Sequence, residues 1–453
     1  MSGSGNVHIR DLPVFRLDKT ERSLFYTPGY VVVVDAAQTD AFESDMCFTH
    51  EGAELLRRAA EMEDKWLAMI DKPFEPICIT LYLNNICNLN CKYCYASTYQ
   101  ANGVSPKLDL EVIRAAAEVV ATNCAAQGRQ LLVAFHGGGE PTLDQSHVET
   151  ALNMVEQIAG EFNLKLFRYI ATNGVMSERK ANWLTERFDE VGLSCDGPAN
   201  IQAFQRPLHN GSDSTPYVER TARIVRERGK ALVVRATITP QSFTRQVEIA
   251  EYVCRELRPR EIHVEPVYLG GRTDEGNIFS VEQAESYVNE FFKARQVASQ
   301  YGVPWLTSGS RPTEIHGPYC NHIRNVVNLT PYGQATACFK IIAPDELSDL
   351  GVNIGQLNKT TGRFMFDDSR IRSLRHKLGN DPPRCKTCLN RYHCVRGCPD
   401  QCLLGDPINA QIAEFRCRIQ KLMMEKYLWE QVEHVSLGSS AGIVGKRLPF
   451  MAS

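Results

Sequence analysis

Six short apolar runs alternate with longer amphipathic stretches between residues 77 and 301, and this alternation constrains the fold more than any other feature. The runs have the length of strands, and the stretches between them show helical spacing of apolar residues. Strands and helices alternating at this spacing predict parallel βα units, and a right-handed series of six predicts a partial barrel. The runs are ICITLYL (77–83), QLLVAF (130–135), KLFRYIAT (165–172), EVGLSC (190–195), ALVVRATI (231–238) and EIHVEPVY (261–268), with helix candidates at 109–126, 144–162, 177–188, 217–228, 243–257 and 281–301.

The alternation stops on both sides of this core. Residues 1–75 predict a small α+β unit, with a turn at 26–30 between two strand-like runs and a helix over 51–70. Past residue 305 the cysteine density rises, which predicts a second unit. The expected domains are therefore 1–75, the barrel at 76–305, a cysteine-rich domain at 306–435, and a segment at 436–453 that is a mobile tail or a docking segment.

Length and charge exclude several classes of protein. The 453 residues exceed what one hydrophobic core supports, and the net charge of −3 provides no positive field to attract nucleic acid. No apolar run approaches the roughly 20 residues that span a bilayer, and the amino terminus lacks the apolar region of a secretory signal. We predict a cytoplasmic protein that binds neither nucleic acid nor membrane.

The sixteen cysteines are unevenly distributed. Cys87, Cys91 and Cys94 form a CxxxCxxC motif after the first predicted strand, eight more lie between Cys320 and Cys417, and the other five are scattered and predicted to be small buried residues. In a reducing cytosol, clustered cysteines indicate metal or redox chemistry.

Three cysteines are one fewer than a closed metal site needs. A structural zinc site takes four ligands, and no nearby His or Cys supplies a fourth. A complete 4Fe-4S cluster also takes four thiolates, so three leave one iron open. An open iron-sulfur cluster is therefore favoured over zinc.

The CxxxCxxC spacing, with Tyr93 before its third cysteine and a predicted barrel strand before the loop, resembles the cluster motif of the radical S-adenosylmethionine (SAM) enzymes. The resemblance covers residues 76–305. It implies that Cys87, Cys91 and Cys94 hold a 4Fe-4S cluster whose open iron is chelated by the amino and carboxylate groups of SAM. It also implies reductive cleavage of SAM to a 5′-deoxyadenosyl radical and methionine.

Loops that follow other predicted strands carry further candidates, HGGGEPT (136–142), TNG (172–174) and SCDGP (194–198). We expect them on one rim with the cysteine loop, although plain turn chemistry is the alternative for each. The resemblance implies that the glycine-rich segment receives the amino group of SAM, that Asn173 and Ser194 face its ribose or methionine part, and that Arg206 meets its carboxylate. The candidate cofactor-binding residues are Tyr93, Gly137, Gly138, Gly139, Glu140, Pro141, Asn173, Ser194 and Arg206.

The second group of cysteines resembles the SPASM extension, which holds two more 4Fe-4S clusters in a subset of radical SAM enzymes; a zinc ribbon is the alternative. The fullest SPASM pattern has a further cysteine before Cys320, where this chain has only Glu314 and His316. The inner cluster would then keep an open iron, recruit Cys402, or take a His or Glu ligand. The resemblance implies Cys385, Cys388, Cys394 and Cys417 as ligands of the outer cluster, and Cys320, Cys338 and Cys398 as ligands of the inner one.

Together these resemblances imply SAM, three 4Fe-4S clusters and an electron donor such as flavodoxin or ferredoxin. SPASM enzymes act mainly on peptides, so we predict a maturase that crosslinks, excises or otherwise modifies a ribosomally made precursor peptide. A strand pair in 1–75 could accept the peptide leader as an added strand; otherwise a separate small leader-recognition protein is expected.

Two alternatives stay open. One is an anaerobic sulfatase-maturase-like enzyme that forms formylglycine, which is disfavoured because Phe339 stands where that branch has an Asp. The other is a zinc-stabilised protein that binds a peptide without catalysis.

Overall fold

The computed structural model describes residues 12–96, 106–316, 320–338, 340, 351–379, 383–394, 407–437 and 442–449. Its first strands form an antiparallel sheet around a two-residue turn at Pro28 and Gly29, with Thr27 opposite Tyr30. Gly29 has a φ of 78°, which favours glycine at the second turn position. The elements of this part are β1 (Phe15–Asp18), β2 (Arg22–Thr27), β3 (Tyr30–Asp35), α1 (Thr39–Asp45) and α2 (His50–Ala68).

All six apolar runs form strands, and each strand pairs in parallel with the next. The predicted α/β fold with a partial (β/α)6 barrel is confirmed. The strands are β4 (Cys78–Leu81), β5 (Leu131–Phe135), β6 (Leu166–Thr172), β7 (Glu190–Ser194), β8 (Ala231–Ile238) and β9 (Glu261–Pro266).

Helices connect these strands, and several begin where the sequence supplies a capping side chain. Asp109 accepts a hydrogen bond from Glu111 N, and Ser177 accepts one from Lys180 N. The short helix α6 is an element that the helix candidates did not include. The helices are α3 (Leu110–Gln127), α4 (Gln145–Glu161), α5 (Glu178–Arg187), α6 (Ala199–Gln205), α7 (Thr215–Glu227), α8 (Gln246–Tyr252) and α9 (Ala284–Gln300).

The cysteine-rich part extends the barrel sheet, which the sequence did not predict. Strand β11 pairs in parallel with β4, and β12 to β14 continue antiparallel, giving an eleven-stranded order β10-β9-β8-β7-β6-β5-β4-β11-β12-β13-β14. The remaining elements are β10 (Trp305–Leu306), β11 (Val326–Leu329), β12 (Gln334–Thr336), β13 (Asn353–Asn358), β14 (Arg363–Phe366), α10 (Asp368–Gly379), α11 (Pro383–Lys386), α12 (Pro407–Val432) and β15 (Ile443–Arg447).

Strand β15 lies in the segment expected to be a tail or a docking segment, and it pairs antiparallel with β3. The small sheet therefore has the order β1-β2-β3-β15, and the far end of the chain covers the β3 edge. In the described parts of the chain, no helix is both long and apolar enough to cross a membrane.

Alternation along the barrel strands separates an outer core from an inner face. On β4, Ile79 and Leu81 are fully buried in the main hydrophobic core, whereas Thr80 and, just past the strand, Tyr82 point the other way. Because the strands are parallel and in register, the same alternation continues from strand to strand. The inner face is the one that a bound substrate can reach.

Candidate functional site at the carboxyl edge of the barrel

The glycine-rich loop after β5 lies directly on the chain that leads into the cysteine loop. Gly139 N donates to Asn84 O at 2.9 Å, and Glu140 N donates to Ile86 O at 2.7 Å. A Cβ at Gly139 would lie 2.1 Å from Ile86 O, so no other residue fits this contact without a shift of the backbone. The glycines thus bring the two loops together.

The rest of this loop is equally constrained. A Cβ at Gly137 would lie 2.1 Å from the ring of Tyr82, and Gly137 has a φ of 95°. Gly138 follows with a φ of 68°, and Pro141 begins a short 3-10 turn that ends at Asp144. The loop leaves little room for side chains, and its backbone is correspondingly close to the cysteine loop.

Glu140 is buried, with 3% of its surface exposed, and it joins two rim loops. Its Oε1 accepts hydrogen bonds from Thr142 N at 3.1 Å, Thr142 Oγ1 at 2.7 Å and Thr172 Oγ1 at 2.8 Å, and its Oε2 accepts one from Asn173 N at 2.7 Å. Burial raises the pKa of Glu140, and these four donors oppose that rise. Three donors crowd Oε1, whereas Oε2 has one and retains acceptor capacity.

Asn173 connects the TNG loop to the first cysteine. Its Nδ2 donates to Asn88 Oδ1 at 2.8 Å and lies 3.7 Å from Cys87 Sγ, while its Oδ1 accepts from Val175 N at 2.8 Å. The amide is therefore oriented toward the thiol by bonds on both sides.

Asp196, which the sequence analysis did not single out, organises the other side of the cysteine loop. Its buried carboxylate accepts hydrogen bonds from the Tyr93 hydroxyl, from Gln205 Nε2 at 2.7 Å and from Thr237 N at 2.9 Å, and it pairs with Arg206 Nε at 3.0 Å. Arg206 also lies over the Tyr93 ring at 5.2 Å. The sequence signal available for Asp196 was its place in the SCDGP loop, between the candidates Ser194 and Arg206.

Arg206 is thus paired with a protein carboxylate. Burial alone would lower the pKa of its guanidinium, but the charge of Asp196 opposes this and the pKa is raised above its ordinary value. Ser194, the last residue of β7, is half-buried on the inner face and lies opposite Arg235 of β8. The structure places both candidates at the rim, and their contacts with a cofactor stay predictions.

A loop after β9 covers the last cysteine, and the sequence analysis missed it. Arg272 N donates to Cys94 O at 3.1 Å, and Arg272 Nη1 donates to Cys91 O at 3.2 Å. A Cβ at Gly271 would lie 2.1 Å from Cys94 O. The Gly270-Gly271 pair just past a predicted strand was the signal available for it.

Of the three thiols of the loop, that of Cys91 is buried, whereas those of Cys87 and Cys94 are partly exposed. Burial, followed by smaller effects that include Cys94, raises the pKa of Cys87 to about 11 and that of Cys91 to about 12. Such thiols are neutral at pH 7, and they must lose their protons to bind iron. Across the described residues, no three Cys, His, Asp or Glu side chains converge as metal ligands do. The loop gathers a donor set that fits a 4Fe-4S cluster, without closing it into a metal site.

The second group of cysteines is distributed over separate segments. Cys320 precedes a short 3-10 turn, Cys338 is buried past β12, Cys385 lies in α11 and Cys417 in α12. The predicted ligand Cys398, the alternative ligand Cys402, and Phe339 lie outside the described residues. Cys388 and Cys417 are close enough that the charge of Cys417 raises the pKa of Cys388, after burial, and the Cys394 thiol donates to Gln420 Oε1 at 2.7 Å.

The segment before Cys394 packs against the amino-terminal elements. Glu63 of α2 accepts hydrogen bonds from Arg391 Nη2 at 3.1 Å and from the Tyr392 hydroxyl. Tyr26 of β2 is hydrogen-bonded to His393 Nε2 at 2.6 Å, and both side chains are buried. The residues around the second group are thus fixed by a distant part of the chain.

Residues 81–253 match the family model described as the Radical SAM superfamily, so the chain contains a radical SAM domain. A domain of this family implies one 4Fe-4S cluster and supports the prediction of an enzyme that uses SAM. The match covers the cysteine loop and the glycine-rich, TNG and SCDGP loops. The prediction of a radical SAM enzyme is therefore confirmed at the level of the domain.

Two relatives are similar over part of the chain. A cysteine-type anaerobic sulfatase-maturating enzyme of Clostridium perfringens is 32% identical over 145 residues, which are 31% of this chain and 38% of the relative. The radical SAM cyclopropyl synthase TigE of Paramaledivibacter caminithermalis is 23% identical over 205 residues, or 43% of this chain and 42% of TigE. The chain thus spans about two fifths of the length of the curated relatives it matches.

Two solved structures share the fold over more of the chain. Native anSMEcpe with bound AdoMet and the Cp18Cys peptide has a TM-score of 0.59 at 17% identity, covering 78% of this chain and 99% of that one. Streptococcus suis SuiB bound to its precursor peptide SuiA has a TM-score of 0.51 at 14% identity, covering 84% and 95%. At these identities the likeness establishes the fold.

Proposed function

We propose that this chain is a radical SAM peptide maturase, which cleaves SAM reductively and uses the 5′-deoxyadenosyl radical to abstract hydrogen from a ribosomally made precursor peptide. The observation that carries the proposal is the loop of Cys87, Cys91 and Cys94 at the carboxyl edge of a parallel barrel, enclosed by loops that follow four other strands. A 4Fe-4S cluster bound there supplies the electron that breaks the sulfur-carbon bond of SAM.

The geometry suggests a separate role for each group of rim residues. The three thiolates hold the cluster, and Glu140 offers Oε2 to the ammonium of SAM, because Oε1 already accepts three hydrogen bonds. Asn173 and Ser194 face the remaining polar groups of the cofactor. Tyr93 and Arg206 hold the loop in place through Asp196, with Arg206 also available to the carboxylate of SAM.

The proposal of a peptide substrate is supported by two solved structures that share this fold. One structure of SuiB has its precursor peptide SuiA bound, and one of anSMEcpe has the Cp18Cys peptide bound. For this chain we propose a peptide that is crosslinked, excised or otherwise modified, delivered by its leader or by a separate small recognition protein. A low-potential donor such as flavodoxin or ferredoxin supplies the electrons.

We also propose two auxiliary 4Fe-4S clusters in a SPASM domain over 306–435. Cys385, Cys388, Cys394 and Cys417 would bind the outer cluster, and Cys320, Cys338 and Cys398 the inner one. Supporting this, Cys417 of α12 lies close enough to Cys388 for its charge to act on that thiol, although the two are 29 positions apart in the sequence. Iron is then the species that displaces the thiol protons.

Anaerobic purification tests this proposal directly. Three clusters require about twelve irons per chain, and reduction in the presence of SAM is expected to yield 5′-deoxyadenosine. Coexpression with a candidate small precursor peptide, followed by mass spectrometry, identifies the modification. Loss of two hydrogens indicates crosslinking or oxidation, no mass change indicates epimerisation, and a larger loss indicates excision. Zinc in place of iron, or SAM left intact under reduction, would refute the proposal.

A formylglycine-forming enzyme is the second candidate, favoured by the relative that is 32% identical. It predicts that a synthetic sulfatase peptide with a central Cys gains an aldehyde, detected with a hydrazine reagent. The peptide maturase proposal predicts no aldehyde on that peptide and a modified precursor peptide.

A further inference from the structure

The side of the cysteine loop that faces away from the barrel interior lies against the segment that follows α6. Leu89 of the loop and Leu208 of that segment form an isolated antiparallel bridge. His209 is exposed, and its Nε2 is hydrogen-bonded to Cys87 O at 2.8 Å. The backbone of a proposed cluster ligand is therefore one side chain away from solvent on this side.

Large apolar side chains are exposed on the same side. Ile86, just before the first cysteine, is 46% exposed, and Phe204 of α6 is 48% exposed. Tyr217, in the first turn of α7, is 37% exposed and lines an open cleft of about 480 Å³, whose walls also carry one base and one acid, Arg220 and Glu178. Single exposed apolar residues are common on any protein surface, but several on adjoining loops indicate a contact surface.

The two segments that meet here carry positive charge and no acid. Lys92 is exposed, and its Nζ lies 3.1 Å from the centroid of the Phe204 ring. No Asp or Glu occurs in residues 84–92 or 204–212, although the chain as a whole has a net charge of −3. The lack of acid is therefore local. Ile86, Lys92, Phe204 and Tyr217 together define the outer face of the cysteine loop.

We propose that the outer face is the docking surface for a small acidic electron-carrier protein. The inference rests on the proposed function, which needs one electron for each SAM that is cleaved. The reduced carrier is oxidised by that one electron, which passes through the 4Fe-4S cluster to SAM as its sulfur-carbon bond breaks. Because SAM and the peptide occupy the barrel interior, the carrier approaches the cysteine loop from outside.

The composition of the outer face suits such a partner. Flavodoxins and ferredoxins are acidic proteins, and a surface of opposite charge raises the rate at which they meet the enzyme. Transient electron-transfer interfaces bury less than about 1,200 Å² in total, so a few aromatic and aliphatic side chains provide sufficient contact. Phe204 and Tyr217 are aromatic residues of the kind enriched in interfaces, and Lys92 provides the charge.

The experiment uses the anaerobically reconstituted full chain as wild type, Lys92→Glu, Phe204→Ser and the double variant. Lys359→Glu and Met365→Ser, at exposed positions of the β13-β14 hairpin, are the matched controls. SAM cleavage is assayed with reduced bacterial flavodoxin, with reduced bacterial ferredoxin, and with dithionite, which is small enough to need no docking surface. The dissociation constant of flavodoxin is measured at low and high salt, and binding of a candidate precursor peptide is measured beside it.

The double variant is expected to lose about tenfold or more in kcat/KM for the carrier and in affinity for it at low salt, with a smaller loss at high salt. Cleavage driven by dithionite should stay at the wild-type rate. Three results overturn the inference: equal reduction of variants and controls by both carriers, a loss of dithionite-driven cleavage in the double variant, or a loss of peptide binding alone. Wild type that contains no iron, or that cleaves no SAM with dithionite, would instead refute the proposed function.

Discussion

The two groups of cysteines are held in different ways. Backbone atoms of the first loop bond to surrounding loops, as when Asn90 N donates to Pro207 O at 2.8 Å and Lys92 N to Gln205 O at 3.0 Å. Described cysteines of the second group lie on several segments, and the residues just before Cys394 contact Glu63 and Tyr26 of the amino-terminal part. The first loop is thus held by neighbouring loops of the barrel, whereas the described segment before Cys394 is held by a distant part of the chain.

This difference has a functional meaning. A site that must leave one iron open for a cofactor benefits from a loop whose shape does not depend on a full set of ligands. Clusters bound by ligands from several segments can act as structural staples as well as redox centres. The first loop should therefore respond most to changes in the residues that hold it, and the second group to changes in its packing.

The largest effect is expected for Asp196→Ala. It leaves Arg206 buried without its partner and removes the acceptor of Tyr93, which should lower the free energy of unfolding by about 3–5 kcal/mol. Urea unfolding and SAM binding measure the loss. Asp189→Ala is the matched control, because Asp189 pairs with Arg168 at 2.8 Å just before the same strand but is 28% exposed. Equal destabilisation by both variants, with SAM binding kept, would argue against the role of Asp196.

Glu63→Gln tests the second region and should have a smaller effect. Weakening the bonds to Arg391 and Tyr392 is expected to cost about 2 kcal/mol and to lower the iron content of the auxiliary clusters, while production of 5′-deoxyadenosine persists. Glu61→Gln on the same helix is the control; its exposed pair with Arg57 should cost less than about 0.5 kcal/mol. Iron content that is the same in both variants would contradict the proposed dependence on packing.

Mild acid should have the smallest effect on stability, and it tests a titratable side chain in the barrel interior below the first loop. Burial, with Arg235 and His322, lowers the pKa of His136 to about 3. The folded state then binds fewer protons than the unfolded state, so stability present at pH 7 is lost as the pH falls from about 6.5 toward 3. His136→Gln should remove up to about 1.9 kcal/mol of the destabilisation seen between pH 7 and pH 5. Identical pH profiles for variant and wild type would show that the imidazole is not held neutral.

The sequence predicted the barrel well because its signals are local. Each apolar run became a strand, and Gly, Asn and Asp after those strands reached one rim because parallel strands end at the same edge. The turn at Pro28 and Gly29 could also be predicted from the sequence, because proline and glycine favour the backbone angles that this turn requires.

What the sequence did not predict depends on contacts between distant segments. The pairing of β11 with β4 and of β15 with β3 joins segments more than 200 residues apart, and no local pattern specifies such partners. Asp196 was missed for the same reason. Its carboxylate contacts four groups from three parts of the chain, whereas the sequence around it is typical of a plain turn.

The most direct test of the account is the Cys87→Ala, Cys91→Ala, Cys94→Ala triple variant, purified anaerobically beside a Cys47→Ala, Cys124→Ala, Cys254→Ala control made at scattered positions outside the rim loops. Iron per chain and 5′-deoxyadenosine formed from SAM under reduction are measured on both. The account predicts that the first variant loses about four irons, keeps the rest and forms no 5′-deoxyadenosine, while the control matches wild type. Continued cleavage of SAM by the first variant would contradict it.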